Sequence, residues 1–251
     1  GEGATLHNIS QIYYARGDYE TALKYLKQSL RIGQEIGDKS GEGATLNNMA
    51  ATAYARGDYE TALKYLKQSL KICQEIGYKR GEGTTLNNIS QIYSAHGDCE
   101  AALKYLEQSL KICQEIGNKS GEGLSLNNIS QIYSARGDYE TALKYLEQSL
   151  KISQEIGNKS GEALSLNNIS QIYSARGDYE TALKYLEQSL KISQEIGDKS
   201  VEAKTLFNLA MACLNDKINQ PAKAMEYLQE VVEINKFLKD AQLTEALASL
   251  A

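Results

Sequence analysis

Amide side chains recur at fixed positions along this chain and are its most regular chemical feature. An asparagine pair returns every forty residues, and in three of the four pairs a glutamine stands three residues after the second member. Each amide offers N–H donors and a carbonyl acceptor, and an extended peptide offers one donor and one acceptor per residue. These amides can therefore bind a peptide backbone with little regard for its sequence. The residues predicted to do so are Asn8, Asn47, Asn48, Asn87, Asn88, Asn127, Asn128, Asn167, Asn168, Gln91, Gln131 and Gln171.

A structural role for part of this amide set is an equally good interpretation. One asparagine of each pair can make hydrogen bonds between helices, or can simply face solvent. Repetition does not separate the two, because duplication copies neutral residues together with functional ones.

Two tyrosines distinguish the first two repeats from the others. Tyr14 and Tyr54 stand where later repeats have Ser94, Ser134 and Ser174. An aromatic ring with a polar tip suits a pocket that holds a partner's side chain, so Tyr14 and Tyr54 are predicted to form an apolar anchor for a peptide. The alternative is a rotated core packing around Ala53, which replaces a tyrosine found in the neighbouring repeats.

Catalytic and metal-binding sets are not recognisable in the sequence. The two histidines occupy repeat positions that hold Asn47 and Arg56 elsewhere, and the four cysteines form no C-x-x-C pair. Such a set completes neither a zinc site nor an acid–base pair. We predict no metal, no cofactor and no enzymatic activity. Cys73 and Cys113 share a repeat position with Ser153, which indicates a small-residue site with reduced thiols.

Charge and hydropathy limit the kinds of partner. The net charge of −5 argues against nucleic acid, because phosphate binding needs a concentrated basic face. No apolar run is long enough for a membrane helix, so a cytoplasmic protein is expected. The sequence starts at Gly1, without a methionine and in phase with a repeat, and we expect a truncated N-terminus.

The forty-residue repeat predicts two helices joined by a tight turn. Leu126, Ile129 and Tyr133 step by three and four, which is the spacing of one helical face, and a second apolar face starts after Gly137. Gly137 can end the first helix in the left-handed conformation. Asp138 can cap the second.

One stretch of each repeat resembles the tetratricopeptide signature. From Asn128 to Tyr145 the sequence reads N-I-x-x-I-Y-x-x-x-G-D-Y-x-x-A-L-x-Y, and this run recurs five times with few changes. The usual tetratricopeptide unit has about 34 residues. The lengthened units of this chain resemble those of kinesin light chain, of Pins/LGN-type adaptors and of many bacterial multi-repeat proteins.

The resemblance implies an all-α fold, a right-handed α-solenoid of antiparallel helix pairs that forms a single domain over residues 1–251. It also implies that the first helices line a concave groove. The groove lacks the Lys and Arg positions with which some tetratricopeptide domains clamp a terminal carboxylate. The predicted repeats are 1–40, 41–80, 81–120, 121–160, 161–200 and a divergent 201–239, followed by a terminal helix over 240–251.

Two functions follow as hypotheses. The first is a scaffold that binds an extended or helical peptide segment of a partner protein in its groove. The alternative is a structural module whose exposed ends stack into dimers or filaments by heterologous contact.

Overall fold

The computed structural model describes the backbone of residues 2–248, together with the side chains of residues 2, 3 and 5–238. Over this part of the chain the backbone forms twelve helices and no strand. The predicted all-helical class, with two helices in each repeat, is confirmed. The helices are α1 (Glu2–Ala15), α2 (Tyr19–Ile36), α3 (Lys39–Ala55), α4 (Tyr59–Glu75), α5 (Lys79–Ala95), α6 (Cys99–Glu115), α7 (Lys119–Ala135), α8 (Tyr139–Glu155), α9 (Lys159–Ala175), α10 (Tyr179–Ile196), α11 (Lys199–Leu214) and α12 (Pro221–Ala248).

The turn inside each repeat uses the Gly-Asp pair as predicted. Gly137 has a φ of 79°, a left-handed conformation that glycine adopts without steric cost. Asp138 then caps α8, because its carboxylate accepts the backbone N–H of Thr141 at 3.1 Å. Hydrogen bonds from Thr141 also hold the pKa of Asp138 below its ordinary value. The caps of the other repeats are Asp18, Asp58, Asp98 and Asp178.

A buried carboxylate follows the start of the first helix in the second to sixth repeats. Lys159 Nζ lies 2.8 Å from Glu162 Oε2, and Gln154 Nε2 donates to Glu162 Oε1 at 3.1 Å. Burial raises the pKa of Glu162, but the hydrogen bonds from Lys159 and Gln154 outweigh it and leave this pKa below its ordinary value. The same contact raises the pKa of Lys159. The equivalent pairs are Lys39–Glu42, Lys79–Glu82 and Lys199–Glu202.

The apolar core is built from small and branched residues at repeating positions. On α8, Ala142 and Leu146 are almost fully buried and pack against Ile169 and Ile172 of α9. Alanine lets the helix backbones approach closely, and each buried leucine or isoleucine contributes about 1.5–3 kcal/mol. The same positions are buried in the earlier repeats. Within each compact part of the chain the core therefore runs from one helix pair to the next, which is the packing of a helical repeat protein.

Stacked tyrosines join the two helices in most repeats. Tyr133 and Tyr145 stack with their ring centroids 5.6 Å apart, and the first, third and fifth repeats hold the same pair. In the second repeat the smaller Ala53 takes the place of the first ring and lies in a cluster that includes Tyr65. Tyr54 remains 39% exposed, so it does not move into the core beside Ala53.

The helices divide into two compact units, residues 1–121 and 122–238. Within the first unit α2 packs on α3 and α4 packs on α5, and within the second unit α8 packs on α9 and α10 packs on α11. The helix α12 continues without interruption to Ala248. The side chains of the predicted terminal helix over 240–251, and the backbone of 249–251, lie outside the described residues. None of the described helices is long and apolar enough to cross a membrane.

Candidate functional site

Each unit exposes one side of its first helices, which we call the first-helix face. The helices that carry it are α1, α3 and α5 in the first unit and α7, α9 and α11 in the second. The second asparagine of each pair and the glutamine three residues later lie along it. Gln91, Gln131 and Gln171 are exposed. Asn8 is exposed, Asn48, Asn88 and Asn128 are half-buried, and Asn168 is 5% exposed.

In three of the four pairs the first asparagine lies beneath this face and not on it. Asn87, Asn127 and Asn167 are only 4%, 2% and 0% exposed, while Asn47 is half-buried. The expectation that Asn87, Asn127 and Asn167 share the exposed stripe is therefore corrected by the structure, whereas Asn47 stays partly exposed and lines a pocket on this face. The reason is packing, since the first helix of the following repeat covers this position within each unit.

The first asparagine bonds to three helices at once. Asn47 Nδ2 donates to Gly43 O at 3.1 Å on its own helix, to Ser69 Oγ at 2.7 Å on α4 and to Thr85 Oγ1 at 3.0 Å on α5. Ser69 Oγ in turn donates to Gly43 O at 2.9 Å. Asn167 makes the equivalent bond to Thr205 Oγ1 at 2.8 Å. A buried polar group stabilises a fold only when it is hydrogen-bonded, and this network meets that condition.

The second asparagine donates inward to the first asparagine of the preceding repeat. Asn88 Nδ2 lies 3.0 Å from Asn47 Oδ1, and Asn168 Nδ2 lies 2.7 Å from Asn127 Oδ1. Asn208, which continues this column on α11, donates to Asn167 Oδ1 at 2.8 Å. The two columns predicted from the sequence therefore have different roles, one internal and one at the surface.

A pocket of about 270 Å³ opens on the first-helix face of the first unit. Leu66 and Ile92 form part of its apolar wall, Asn88 and Gln91 line one side, and Tyr14 and Tyr54 also border it; the remaining lining residues are Asn47, Ala50 and Ala51. The structure thus brings the two predicted tyrosines together at one pocket. Desolvation by burial, together with Tyr19, raises the pKa of Tyr14, so its phenol stays neutral near pH 7.

A second pocket, of about 590 Å³, occupies the equivalent place in the second unit. Leu146 and Ile172 stand where the first pocket has Leu66 and Ile92, while Asn168 and Gln171 replace Asn88 and Gln91. Gln131 and Ser134 stand in place of Ala51 and Tyr54, which makes this pocket more polar. The other lining residues are Ser130, Ala135, Tyr139, Ala175 and Lys204.

Lys204 is the side chain at this site that sequence reasoning missed. It lines the second pocket from α11, and burial lowers its pKa although part of the side chain is exposed. Among the described residues its ammonium has no hydrogen-bond or ion-pair partner. The available signal was positional, because Lys204 replaces Leu124 and Leu164 of the preceding repeats.

Thiols and metal ligands are not part of the candidate site. None of the four cysteines forms a disulfide, and Cys73, Cys113 and Cys213 are buried. Burial raises the pKa of Cys73 and of Cys213, which keeps both as weakly reactive thiols. Within the described part of the chain, no group of three or more His, Cys, Asp or Glu side chains is placed to hold a metal ion.

Comparison with solved structures shows the same fold in other repeat proteins. BtubC (BKLC) from P. vanneervenii is 20% identical with a TM-score of 0.71, over 88% of this chain and 92% of that chain. A putative kinesin light chain of Podosopora anserina with nearly identical TPR-like repeats is 20% identical with a TM-score of 0.61, over 78% and 96%. NprR in complex with its cognate peptide NprX is 20% identical with a TM-score of 0.67, over 96% and 72%.

Comparison with protein-family models identifies the family of this chain. No curated protein is a significant match to the sequence. The family model described as tetratricopeptide repeat matches five overlapping stretches, residues 1–75, 41–115, 81–155, 121–195 and 161–236. Since these matches cover residues 1–236 without a gap, and the helix pairs, Gly-Asp turns and small core alanines agree with them, this chain belongs to the tetratricopeptide repeat family.

Proposed function

We propose that this chain is a protein-interaction scaffold whose first-helix face binds a peptide segment of a partner protein. The observation that carries the proposal is the recurrence of one pocket in both units, with an apolar wall and an amide rim. Concave sites of a few hundred cubic ångströms with a few polar groups are the usual form of a ligand pocket. NprR, which has a similar fold, has been solved with its cognate peptide.

The two pockets suit different parts of such a segment. In the first unit, Tyr14, Ala51 and Tyr54 give an apolar surface that suits an aliphatic or aromatic side chain. In the second unit, Gln131 and Ser134 give hydrogen-bonding groups at the equivalent positions. The first pocket supplies most of the binding energy in this proposal, because buried aromatic contacts dominate interfaces. The second selects for polar groups.

The proposal is tested with a peptide selected from a random display library against the purified chain. The variant Ala51→Gln with Tyr54→Ser gives the first pocket the residues of the second, which the natural repeats already carry at Gln131 and Ser134. We expect the dissociation constant measured by calorimetry to rise about tenfold or more, equivalent to roughly 1.4 kcal/mol. The melting temperature should stay close to that of the unmodified chain.

A variant away from the face provides the control. Lys64→Ala changes an exposed residue of α4 that lines neither pocket, and it should leave the affinity unchanged. Equal affinity of the Ala51→Gln/Tyr54→Ser variant and the unmodified chain would remove the first pocket from the proposed site. If the library yields no peptide whose binding is weakened by Asn88→Ala or by Gln171→Ala, the result would argue against peptide binding by this face.

The exposed side of α12 supports a second function, association with another copy of the chain. Met225 and Val232 lie seven residues apart, on the same side of α12, and are 58% and 62% exposed; large apolar side chains exposed together mark contact surfaces. We expect sedimentation to show concentration-dependent association that the variant Val232→Glu abolishes. A species that stays monomeric at every concentration would exclude this function.

We also propose that the chain binds partner proteins and catalyses no reaction. We further propose that it is located in the reducing cytoplasm. Four cysteines that form no disulfide suit such a compartment. Retention of four free thiols when the protein is isolated from the cytoplasm under thiol-blocking conditions supports the placement, and recovery of disulfide-linked species would contradict it.

A further inference from the structure

Phe207 of α11 is exposed at a repeat position that is buried in the two preceding repeats. Asn127 and Asn167 hold this position there and are 2% and 0% exposed, because the first helix of the following repeat covers each of them. Phe207 is 46% exposed, and no described helix covers it. A large apolar side chain at a position built to be covered indicates a contact surface.

Two residues of α12 are uncovered in the same way. Met225 and Val232 hold the fifth and twelfth places of α12, as Leu183 and Leu190 do in α10, which begins forty-two residues earlier. The two leucines pack against a buried cluster formed by residues of α10, α11 and α12. Their counterparts on α12 are 58% and 62% exposed. We call Phe207, Met225 and Val232 the end face.

The residues expected to cover Phe207 have changed together with it. In the fifth repeat, Asn167 forms hydrogen bonds with a threonine and an asparagine of α11. Forty-two residues after that threonine and that asparagine, the sequence has Leu247 and Leu250. A polar set of three has thus become an apolar set of three. Such a matched replacement suits residues in contact, because a polar group buried against Phe207 would lack a hydrogen-bond partner.

The turn that would bring these leucines back onto their own chain is missing. Helix α10 ends at Ile196, and Gly197 then reverses the chain with a φ of 69°. Forty-two residues later the sequence has Lys239, which takes the left-handed conformation only at a steric cost. The backbone accordingly stays helical to Ala248. A first helix runs antiparallel to the second helix before it, and an uninterrupted helix does not reverse.

We propose that segment 240–251 of one copy covers the end face of a second copy, whose own segment covers the first copy in return. This proposal rests on the second proposed function, association with another copy of the chain, and names the segment that makes the contact. Leu247 and Leu250 of one copy pack against Phe207 of the other. Exchange of an identical element is a low-cost route to a dimer.

Helix α1 of a second copy is a poorer occupant of the end face. It carries Thr5 and Asn8 at the positions that correspond to Leu247 and Leu250. Stacked on the end face, these polar side chains would be buried against Phe207, which offers them neither a donor nor an acceptor. Reciprocal exchange is therefore favoured over head-to-tail stacking into an open filament.

A rescue experiment on the full chain tests the contact with Phe207. Leu247→Thr with Leu250→Asn gives the segment the residues of α11, and Phe207→Asn gives the end face the residue of α9. We expect either change alone to raise the dimer dissociation constant, measured by sedimentation, at least tenfold. All three substitutions together recreate the polar set of the fifth repeat and should restore most of the affinity. Purely additive weakening would contradict the contact.

Restoring the turn tests whether the segment is exchanged. We expect Lys239→Gly, which returns the glycine of the preceding repeats, to convert the dimer into a monomer at the same concentration. The segment can then fold back onto its own chain. Lys236→Gly provides the control, because it places a glycine in α12 where no other repeat has a turn, and it should leave the chain dimeric. A dimer that persists in Lys239→Gly would overturn the exchange.

The outcomes separate this inference from the second proposed function. A dimer that Val232→Glu disrupts, but that Lys239→Gly and the two leucine substitutions leave intact, would overturn the exchange and leave self-association standing. A chain that stays monomeric at every concentration excludes both. A monomer whose melting temperature follows the rescue pattern would place the contact within one chain, and it would overturn the exchange as well.

Discussion

Single side chains of this protein serve either the fold or the first-helix face, and burial separates the two groups. Asn167 is fully buried, and both ends of its amide form hydrogen bonds with α11. Gln171, four residues later, keeps its oxygen on the exposed side. The same chemical group is a structural element in one case and a candidate ligand contact in the other.

Lys204 predicts that the second pocket prefers an acidic side chain. Among the described residues its ammonium has no ion-pair partner, and burial removes part of its hydration. A carboxylate of the ligand can therefore form an ion pair with this ammonium at a small further cost in hydration. We expect Lys204→Gln to weaken binding of a peptide with an internal glutamate by severalfold, and to leave its glutamine counterpart unaffected. Calorimetry at low and high salt measures the effect, and an equal loss for both peptides would contradict it.

Glu162 predicts a loss of stability in acid. Its folded pKa lies below the ordinary 4.5, so its hydrogen bonds stabilise the fold fully above that value and cease to do so as the pH falls through the folded pKa. We therefore expect Glu162→Gln to lower the free energy of unfolding at pH 7 and to lower it much less in strong acid. Urea unfolding at several pH values measures this difference. Glu140, which is 84% exposed and paired with Lys144, provides the control, and Glu140→Gln should have little effect at either pH.

At the scale of helices, the start of α5 lacks the side-chain cap that the starts of α3, α9 and α11 have. Tyr78 occupies the capping position and makes no side-chain hydrogen bond there, whereas Asp38, Asn158 and Asp198 cap the equivalent helices. We expect Tyr78→Asp to raise the free energy of unfolding by about 1 kcal/mol. Asp38→Ala should lower it by a similar amount. Denaturant unfolding of both variants is the test, and an unchanged or lower stability of Tyr78→Asp would contradict the assignment.

Two glycines in equivalent helices predict opposite responses to alanine. A Cβ on Gly123 would meet Ile152 Cγ2 at an ordinary 3.6 Å, and the next repeat already has Ala163 there. A Cβ on Gly161 would lie 2.8 Å from Asn158 Nδ2 and from Ser153 Oγ, which disturbs the cap of α9. We expect Gly123→Ala to stabilise by about 0.5–1 kcal/mol and Gly161→Ala to destabilise by about 1 kcal/mol. Thermal melts compare the pair, and a shift in the same direction for both would refute the geometry.

The helices were predictable from the sequence because their signals are local. The Gly-Asp turn and the three-and-four spacing of apolar residues act within one helix pair, and both are found in the structure. The burial of Asn127 was not predictable in this way, since Asn127 and Asn128 are adjacent and differ only in which neighbour covers them. Asn168, which lies 41 residues from Asn127 in sequence, contributes to that cover. Lys204 was missed for a related reason, because its role depends on a pocket formed by other helices.

At the scale of the whole molecule, thiol reactivity reports how far the protein opens. Cys73, Cys113 and Cys213 are buried, while Cys99 is half-buried at the start of α6. We expect one thiol to react promptly with a disulfide reagent and the other three to react only through opening of the structure. The variant Cys99→Ser should remove the fast phase and leave the slow one. Four thiols reacting at one rate would mean that burial does not protect them.

The hydrogen-bonded asparagine columns also affect how the number of repeats can change during evolution. Repeats 121–160 and 161–200 differ at only two positions, Gly123/Ala163 and Asn158/Asp198, and each contains both the donor and the acceptor that its neighbours require. Unequal recombination that inserts or deletes one repeat in the gene therefore preserves every partner in the network. The length of the segment that the protein recognises would then depend on repeat copy number, and a longer ligand could be accommodated without any new amino acid.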